Sequence, residues 1–262
     1  MLYRRLAPMV VAAVLLTSGC DSNNTDSFED AAPPVLSADA FSIDTNIFGA
    51  SPKVQAGPNF AAAALRVWPV STIISANLII PTLVTAAAVQ ADPVYDDEWI
   101  WSSTATGEGG TIGFTLYATP GADGLDWSMN VSLTEGETVL AEFELYRAQT
   151  ALNGKSGSWQ LFYEYEGTST NVLRADFEVT DQDTKSILFT VVGGPFDNVG
   201  DSVEYRADGS VREFEWTEQS QSRSHLVMWD AVTRAGSITS TNFNGGTPSC
   251  WDTNLDDVAC AG

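Results

Sequence analysis

Between residues 97 and 243 the chain alternates apolar and polar residues with a period of two, which is typical of β-strands. Three of the alternating stretches contain, in order, an acidic residue, a phenylalanine, a glutamate and an apolar residue, at 142–145, 176–179 and 213–216. Because successive side chains of a strand point to opposite faces, Phe143, Phe177 and Phe214 are predicted to lie on one face and the acids on the other.

Eleven such segments are separated by turn residues, among them the hairpin pair Asp208-Gly209. The predicted strands span residues 97–104, 111–118, 125–134, 138–147, 157–166, 171–180, 185–192, 201–207, 210–218, 223–230 and 236–243. Short strands with regular turns predict a mainly β fold, an antiparallel up-and-down meander. A sheet of about ten strands tends to curl or close, because open edges invite aggregation, so we expect a barrel or a strongly curved sheet.

Residues 59–91 precede this pattern as a long apolar segment in which Arg66 is the only charge. The segment is long enough for a transmembrane helix, but Pro69, Asn77 and Pro81 disfavour a span. A displaced export signal is a second interpretation, which the distance from the start of the chain disfavours. We expect the third, an apolar helical segment kinked at the prolines and packed against or inside the sheet.

The first residues carry an export pattern, in which two arginines precede an apolar stretch and the segment ends in Leu-Thr-Ser-Gly-Cys at residues 16–20. This ending resembles a bacterial lipobox, although Thr17 stands where leucine is commonest. The resemblance implies that residues 1–19 are a lipoprotein signal peptide and that Cys20 carries diacylglycerol, which makes a membrane the first expected partner.

Residues 20–56 are polar, acidic and proline-containing, and we expect them to form a flexible tether from the anchor to a single β-rich domain over residues 57–262. The expected location is the cell envelope. Asp21, directly after the lipidated cysteine, favours the inner membrane in some bacteria, but we favour the outer membrane.

The charge balance is strongly acidic, with 12 Lys and Arg against 34 Asp and Glu and a net charge of -22. Such a chain does not bind nucleic acid by neutralising phosphates, and an anionic membrane surface repels it. Abundant acids with few lysines indicate either the surface of a protein from a saline habitat or an ordinary acidic exported protein.

The C-terminal tail over residues 250–260 combines two cysteines with an acidic loop. In an exported protein, two remaining cysteines so close together predict a disulfide between Cys250 and Cys260, with two free thiols as the alternative. The loop between them alternates oxygen-bearing side chains as calcium loops do, at Asp252, Asn254, Asp256 and Asp257. It lacks the glycine turn and the distal glutamate of such loops, so a solvated acidic loop is favoured and no metal is expected.

No arrangement of residues predicts catalysis, so we assign no catalytic residue and no cofactor and expect a protein that is not an enzyme. His225 is the only histidine, and no Gly-x-Ser-x-Gly elbow accompanies it. Paired glutamates with glycosidase-like spacing recur on three predicted strands, which favours a solvated acidic face: Glu142 with Glu144, Glu164 with Glu166, and Glu213 with Glu215.

Six tryptophans fall on predicted strands and are the candidates for ligand binding: Trp99, Trp101, Trp127, Trp159, Trp216 and Trp229. Most are expected to be core residues. Where they line a cavity, they suit lipid tails, quinones or the faces of sugars.

Several short motifs recur along the chain: Cys20, Trp68, Trp99 with Trp101, Gly124 to Trp127, Gly157 to Trp159, and Cys250-Trp251-Asp252 with Cys260. In these motifs the chain resembles a family of uncharacterised β-rich lipoproteins of Gram-negative bacteria. The resemblance implies a lipid-anchored β domain and brings no assigned activity. In architecture alone, a helix beside a curved sheet is similar to periplasmic lipoprotein carriers of the LolA and LolB kind.

Three hypotheses about function follow. The first is a non-enzymatic, lipid-anchored envelope protein that binds an apolar small molecule or a protein partner in or on the curved sheet. The second is a structural or assembly subunit of an envelope complex. The third is a polysaccharide-binding or glycoside-hydrolase-like module, which would display coplanar tryptophans on an exposed face.

Overall fold

The computed structural model describes residues 42–49, 56–71, 74, 94–95, 98–107, 110–165, 167–181 and 183–260. All of them belong to one compact unit, Pro33–Gly262. The predicted signal peptide, Cys20 and most of the predicted tether lie outside the described residues.

A single antiparallel sheet dominates the fold, and its fourteen strands pair in chain order. The strands are β1 (Val94–Tyr95), β2 (Trp99–Gly107), β3 (Gly110–Pro120), β4 (Leu125–Glu135), β5 (Thr138–Thr150), β6 (Ser156–Tyr165), β7 (Thr168–Val179), β8 (Thr184–Val191), β9 (Ser202–Asp208), β10 (Val211–Glu218), β11 (Arg223–Asp230), β12 (Gly236–Ser240), β13 (Ser249–Trp251) and β14 (Asp257–Val258). The mainly β, antiparallel meander predicted from the sequence is confirmed.

The barrel alternative is wrong for the described strands. The strand order runs from β1 to β14 with no pairing between the two ends, so both remain open edges. Each of these edge strands is only two residues long, which is too short to pair along the full length of a strand such as β2. Short edge strands also limit the unpaired backbone offered to another chain.

All eleven predicted strands are present, with shifted ends, and three short strands were missed: β1, β13 and β14. A bulge near Met129 decides which residues share a face. The pairing partner changes from Tyr146 to Glu144 between Met129 and Asn130, so that Leu145 is the extra residue. Phe143 and Tyr146 therefore lie on the same face although an odd number of positions separates them.

Residues 58–71 form a helix, α1, and residue 74 is also helical. Proline is well suited to the first position of a helix, because the N–H it lacks has no partner there, and the next backbone N–H, of Asn59, donates to Asp257 Oδ1 at 3.0 Å. Ala63 and Val67 are fully buried, whereas Leu65 is 71 % exposed, so this helix is two-sided rather than enclosed.

The remainder of the predicted helical segment, residues 75–91, lies outside the described residues, as does its packing. Within the part of the chain that the structure describes, no helix is both long enough and apolar enough to cross a bilayer.

Candidate functional site

One row of side chains on the apolar face alternates large rings with alanine across seven strands, and we call it the aromatic row. From β2 to β8 it consists of Trp99, Ala118, Trp127, Ala148, Trp159, Ala175 and Phe189. Side chains directly opposite each other in an antiparallel pair have Cβ atoms about 4.5–5.5 Å apart. Alanine between two indoles therefore gives each ring the room to lie flat on the sheet.

The tryptophans of the aromatic row are buried, and neighbouring rings pack on them. Trp99 and Trp127 are each 3 % exposed and Trp159 is fully buried. Trp101 lies two residues after Trp99 on β2, and its ring stacks on Trp127 with centroids 6.1 Å apart. Tyr146 lies beside Trp159 at 6.1 Å, and burial raises the pKa of its phenol, as expected for a dry environment.

The indole N–H groups of this region are not equally satisfied. Trp127 Nε1 donates to Thr150 Oγ1 at 3.0 Å. Trp159 Nε1 is buried and has no hydrogen-bond partner among the residues that the structure describes, and the same holds for Trp229 Nε1 on β11. A buried donor without an acceptor costs about 1–3 kcal/mol. Trp159 thus carries an unused donor in the centre of an apolar surface.

The other two candidate tryptophans lie apart from this group, towards the end of the sheet. Trp216 is half-buried on β10, and Trp229 is buried on β11 with its ring 5.0 Å from Phe48. The structure therefore brings together four of the six, Trp99, Trp101, Trp127 and Trp159. None of the six forms part of an exposed coplanar platform, because five are buried and Trp216 is half-buried.

Two described segments lie on the apolar face of the later strands. The first is residues 42–49, which fall within the predicted tether and which we call the strap. Lys185 Nζ donates to Ser42 Oγ at 2.8 Å, and the Asp44 amide donates to the Tyr205 hydroxyl at 3.2 Å. Phe48, fully buried, packs against Trp229. These contacts place the strap on β8 to β11.

The second segment is α1. Phe60 packs edge-on to Trp251 with ring centroids 5.6 Å apart and stacks on Phe48 at 5.5 Å. Asn59 Nδ2 donates to the Cys250 carbonyl at 2.9 Å. The contacts of Asn59 and Phe60, at the start of α1, thus lie on the strap and on β13.

His225, on β11, belongs to a buried polar network. Its Nδ1 lies 2.8 Å from Ser240 Oγ, which donates to Asn242 Oδ1 at 2.8 Å. Because Ser240 uses its hydrogen on Asn242, Nδ1 of the neutral ring carries a hydrogen and donates to Ser240. Nε2 faces Glu218 Oε1 at 3.4 Å. Arg66 of α1 joins the network by donating to Asn242 Oδ1 at 2.7 Å.

This network does not have the geometry of a Ser-His-acid nucleophile. A nucleophilic serine gives its hydrogen to the histidine, whereas Ser240 gives it to Asn242 and is 1 % exposed. Burial lowers the pKa of His225 and the charge of Arg66 lowers it further, while Glu218 acts in the opposite direction. His225 is a packed residue that ties α1 to the sheet.

Of the paired glutamates, Glu144, Glu213 and Glu215 lie close to arginines on the polar face. Glu213 and Glu204 both pair with Arg206, and Glu144 pairs with Arg147 at 2.7 Å. Glu166 lies outside the described residues.

The C-terminal loop is closed by a disulfide between Cys250 and Cys260, whose Cα atoms are 5.2 Å apart, so this prediction is confirmed. Asp252 Oδ1 accepts from the backbone amides of Asn254 and Asp256 at 2.8 and 3.1 Å, which holds the loop in a turn. The part of the chain that the structure describes contains no group of three or more His, Cys, Asp or Glu residues arranged to hold a metal ion. The calcium hypothesis for this loop remains untested.

Three clefts are lined by described residues. Two lie on the polar face between β3 and β7, have volumes of about 590 and 390 Å³, and share Asp126, Gln149 and Ser158. The third has a volume of about 340 Å³ and lies between the strap, α1 and the turn after β11. Cavities of several hundred Å³ therefore exist, which makes binding of a small molecule sterically feasible.

Comparison with known proteins gives no match: no family model, no curated protein and no solved structure is similar to this chain.

Sequence reasoning missed the residues that complete the polar network and the third cleft. Arg66 could have been found, because a single charge in an apolar segment needs a polar partner. Glu218, Ser240 and Arg234 have no such signal, since their importance depends on which strands and turns lie next to one another.

Proposed function

We propose that this protein is a lipid-anchored, non-enzymatic component of the bacterial cell envelope that binds an apolar ligand against the aromatic row. The observation that carries the proposal is Trp159, which is fully buried among rings and whose indole N–H finds no acceptor in the described part of the chain. Sites for small apolar molecules are lined mainly by aromatic and aliphatic side chains with a few polar groups that orient the ligand.

The unused N–H defines the chemistry of the ligand. An acyl chain with an ester or carbonyl oxygen would pack on the indoles and accept from Trp159 Nε1. The surrounding side chains are apolar, since Leu116, Met129 and Tyr146 form the next row of the same face and are all buried. An ester oxygen would therefore remove an energetic penalty that the protein alone leaves in place.

In this proposal the apolar segment 59–91 packs along the same face and covers the aromatic row while no ligand is bound. Support comes from α1, whose buried residues Ala63 and Val67 belong to the hydrophobic core. Cys20 supplies the acyl anchor, and the strap marks where the tether meets the sheet. Placement at the outer membrane is part of the proposal.

Mass spectrometry of the full-length lipoprotein, extracted mildly from cells, tests the proposal. We expect the native mass to exceed the mass of the denatured, covalently acylated chain by that of a non-covalent ligand. Trp159→Phe, which removes the N–H and keeps an aromatic ring, should reduce the retained ligand. Trp229→Phe removes the equivalent unpaired N–H beneath Phe48 and should leave retention unchanged.

Equal native and denatured masses would contradict ligand binding. If the same preparation instead retains a stoichiometric protein, the chain is an assembly subunit, the second hypothesis.

A further inference from the structure

The cleft of about 340 Å³ between the strap and α1 has a mixed lining. Ile47 of the strap, Phe60 of α1 and Leu255 of the C-terminal loop supply apolar walls, and Ala231 forms part of the turn that follows β11. Arg234, in the same turn, is the charged residue of the lining. The cleft is separate from the aromatic row, because its residues come from the strap, α1 and segments that follow β11.

Arg234 differs from the other described arginines in having no partner for its guanidinium. Arginines elsewhere on the sheet pair with carboxylates, for example Arg147 with Glu144 and Arg174 with Asp176. Among the residues that the structure describes, no carboxylate lies within ion-pair distance of Arg234, and its guanidinium makes no hydrogen bond. In a chain with a net charge of -22, an arginine left unpaired is unexpected.

The backbone holds Arg234 firmly in place. Its amide donates to the Asp230 carbonyl at 2.8 Å, and its own carbonyl accepts from Trp251 Nε1 at 2.8 Å. Arg234 has a φ of 72°, in the left-handed region that residues with a long side chain seldom adopt. Leu255, which also lines the cleft, has a φ of 73°. Strained residues of this kind cluster where a ligand is held.

We propose that this cleft binds a small amphiphile that carries one anionic group, a carboxylate or phosphate, on an apolar body. The guanidinium of Arg234 forms charge-assisted hydrogen bonds with the anion. The apolar body lies against Ile47, Phe60 and Leu255. The volume is near the lower end of the roughly 300–1,000 Å³ range of small-molecule sites, so the ligand is short.

Titration calorimetry with octanoate tests this proposal on the mature chain, expressed from residue 20 with Cys20→Ser, so that neither the predicted signal peptide nor an acyl group is present. We expect octanoate to bind, and octanol and inorganic phosphate to bind at least about tenfold more weakly, because each lacks one half of the interaction. Equally tight octanol would overturn the anionic requirement. Equally tight phosphate would overturn the apolar requirement and assign a simple anion.

Three variants locate the site. Arg234→Asn removes the charge with a residue that tolerates a left-handed backbone, and should weaken octanoate binding by about tenfold or more. Ala231→Leu fills the cleft without changing charge and should do the same. Arg174→Asn removes an equal charge from the polar face and should have no effect. Unchanged affinity in both Arg234→Asn and Ala231→Leu, with thermal unfolding showing that they are folded, would overturn the proposal.

The outcome is separable from that of the proposed function. If Trp159→Phe abolishes octanoate binding while Arg234→Asn does not, octanoate occupies the aromatic row and the second site does not exist. If both sites are real, each variant affects only its own ligand.

Discussion

The two halves of the apolar face are completed in different ways. On β8 to β14, the strap and α1 pack against the sheet through Phe48, Phe60 and the hydrogen bonds of Asp44 and Asn59. On β2 to β7, the tryptophans and alanines of the aromatic row are packed by neighbouring rings, and the segment that we propose to cover the row contains few polar groups. The first half is packed by the strap and α1, whereas the described contacts of the second half are mainly between its own rings, with one hydrogen bond from Trp127 to Thr150.

This difference indicates where the protein can exchange one contact for another. Directional hydrogen bonds and ring contacts specify one partner, whereas apolar surface accepts any partner of suitable shape. The half on which the strap and α1 pack therefore suits attachment of the tether, and the half packed mainly by its own rings is the one that we propose for a replaceable ligand. Trp229 and Trp159, both buried with unpaired indole N–H groups, represent the two halves.

The largest expected effect comes from truncating these two tryptophans. Trp159→Ala and Trp229→Ala should each lower the free energy of unfolding by about 3–5 kcal/mol, because a large buried ring is replaced by a cavity. Only Trp159→Ala should also lower the amount of retained ligand. Urea denaturation measures the first effect, and Leu65→Ala, at a position 71 % exposed, is the control that should stay within about 0.5 kcal/mol. A loss of ligand in Trp229→Ala alone would reverse the assignment of the two halves.

Reduction of the disulfide should act on the half that carries α1. Cys250 and Cys260 are separated by ten positions, and a loop of that size predicts a loss of ~3 kcal/mol in the free energy of unfolding when the bond is broken. Hydrogen exchange should show faster exchange for β13 and the first turn of α1, which bonds Cys250 and Asp257. Exchange that accelerates first in β2 to β6 would contradict this.

The features of the fold that depend on neighbouring residues could be predicted from the sequence, whereas those that depend on contacts between distant residues could not. The eleven main strands were predicted because period-two alternation is local. The alternation of tryptophan and alanine in the aromatic row was not, because it depends on the register between strands, which the turns and the bulge near Met129 determine. The prediction that a large sheet would close into a barrel was wrong, because the strands at both edges are very short.

Candidate sites follow the same rule. The six tryptophans were identified from their strand positions, but the grouping of four of them needed the sheet order. Arg234 was not identified from the sequence. Its significance is that no described carboxylate pairs with it and that its turn, after β11, lies beside the strap.

Overpacking the aromatic row should have a smaller effect. Ala148 lies between Trp127 and Trp159 and is 3 % exposed, so Ala148→Leu should force the two indoles apart and destabilise the fold by about 1–3 kcal/mol. Ala122→Leu, in the exposed turn between β3 and β4, is the matched control and should be near neutral. Equal stability of both variants in urea would contradict tight packing of Ala148 between the two indoles.

Acidification should slightly destabilise the half of the sheet that carries the strap and α1. Because burial lowers the pKa of His225 below its ordinary value of 6.5 in the folded state, the unfolded chain binds a proton first as the pH falls. Stability is therefore full above about pH 6.5 and declines between that value and the lower folded pKa. His225→Gln should flatten this part of the pH profile of the urea midpoint. A profile that stays the same in the variant would assign the decline to other groups.

The indole resonance of Trp159 Nε1–H tests the central claim most directly. It can be assigned by its disappearance in Trp159→Phe, and recorded by ¹H–¹⁵N NMR before and after removal of bound lipid. An apolar ligand that accepts from Trp159 predicts a downfield resonance that moves upfield on delipidation, while the Trp229 resonance stays in place. A Trp159 resonance that is identical in both samples, with no lipid recovered in the extract, would contradict ligand binding at the aromatic row.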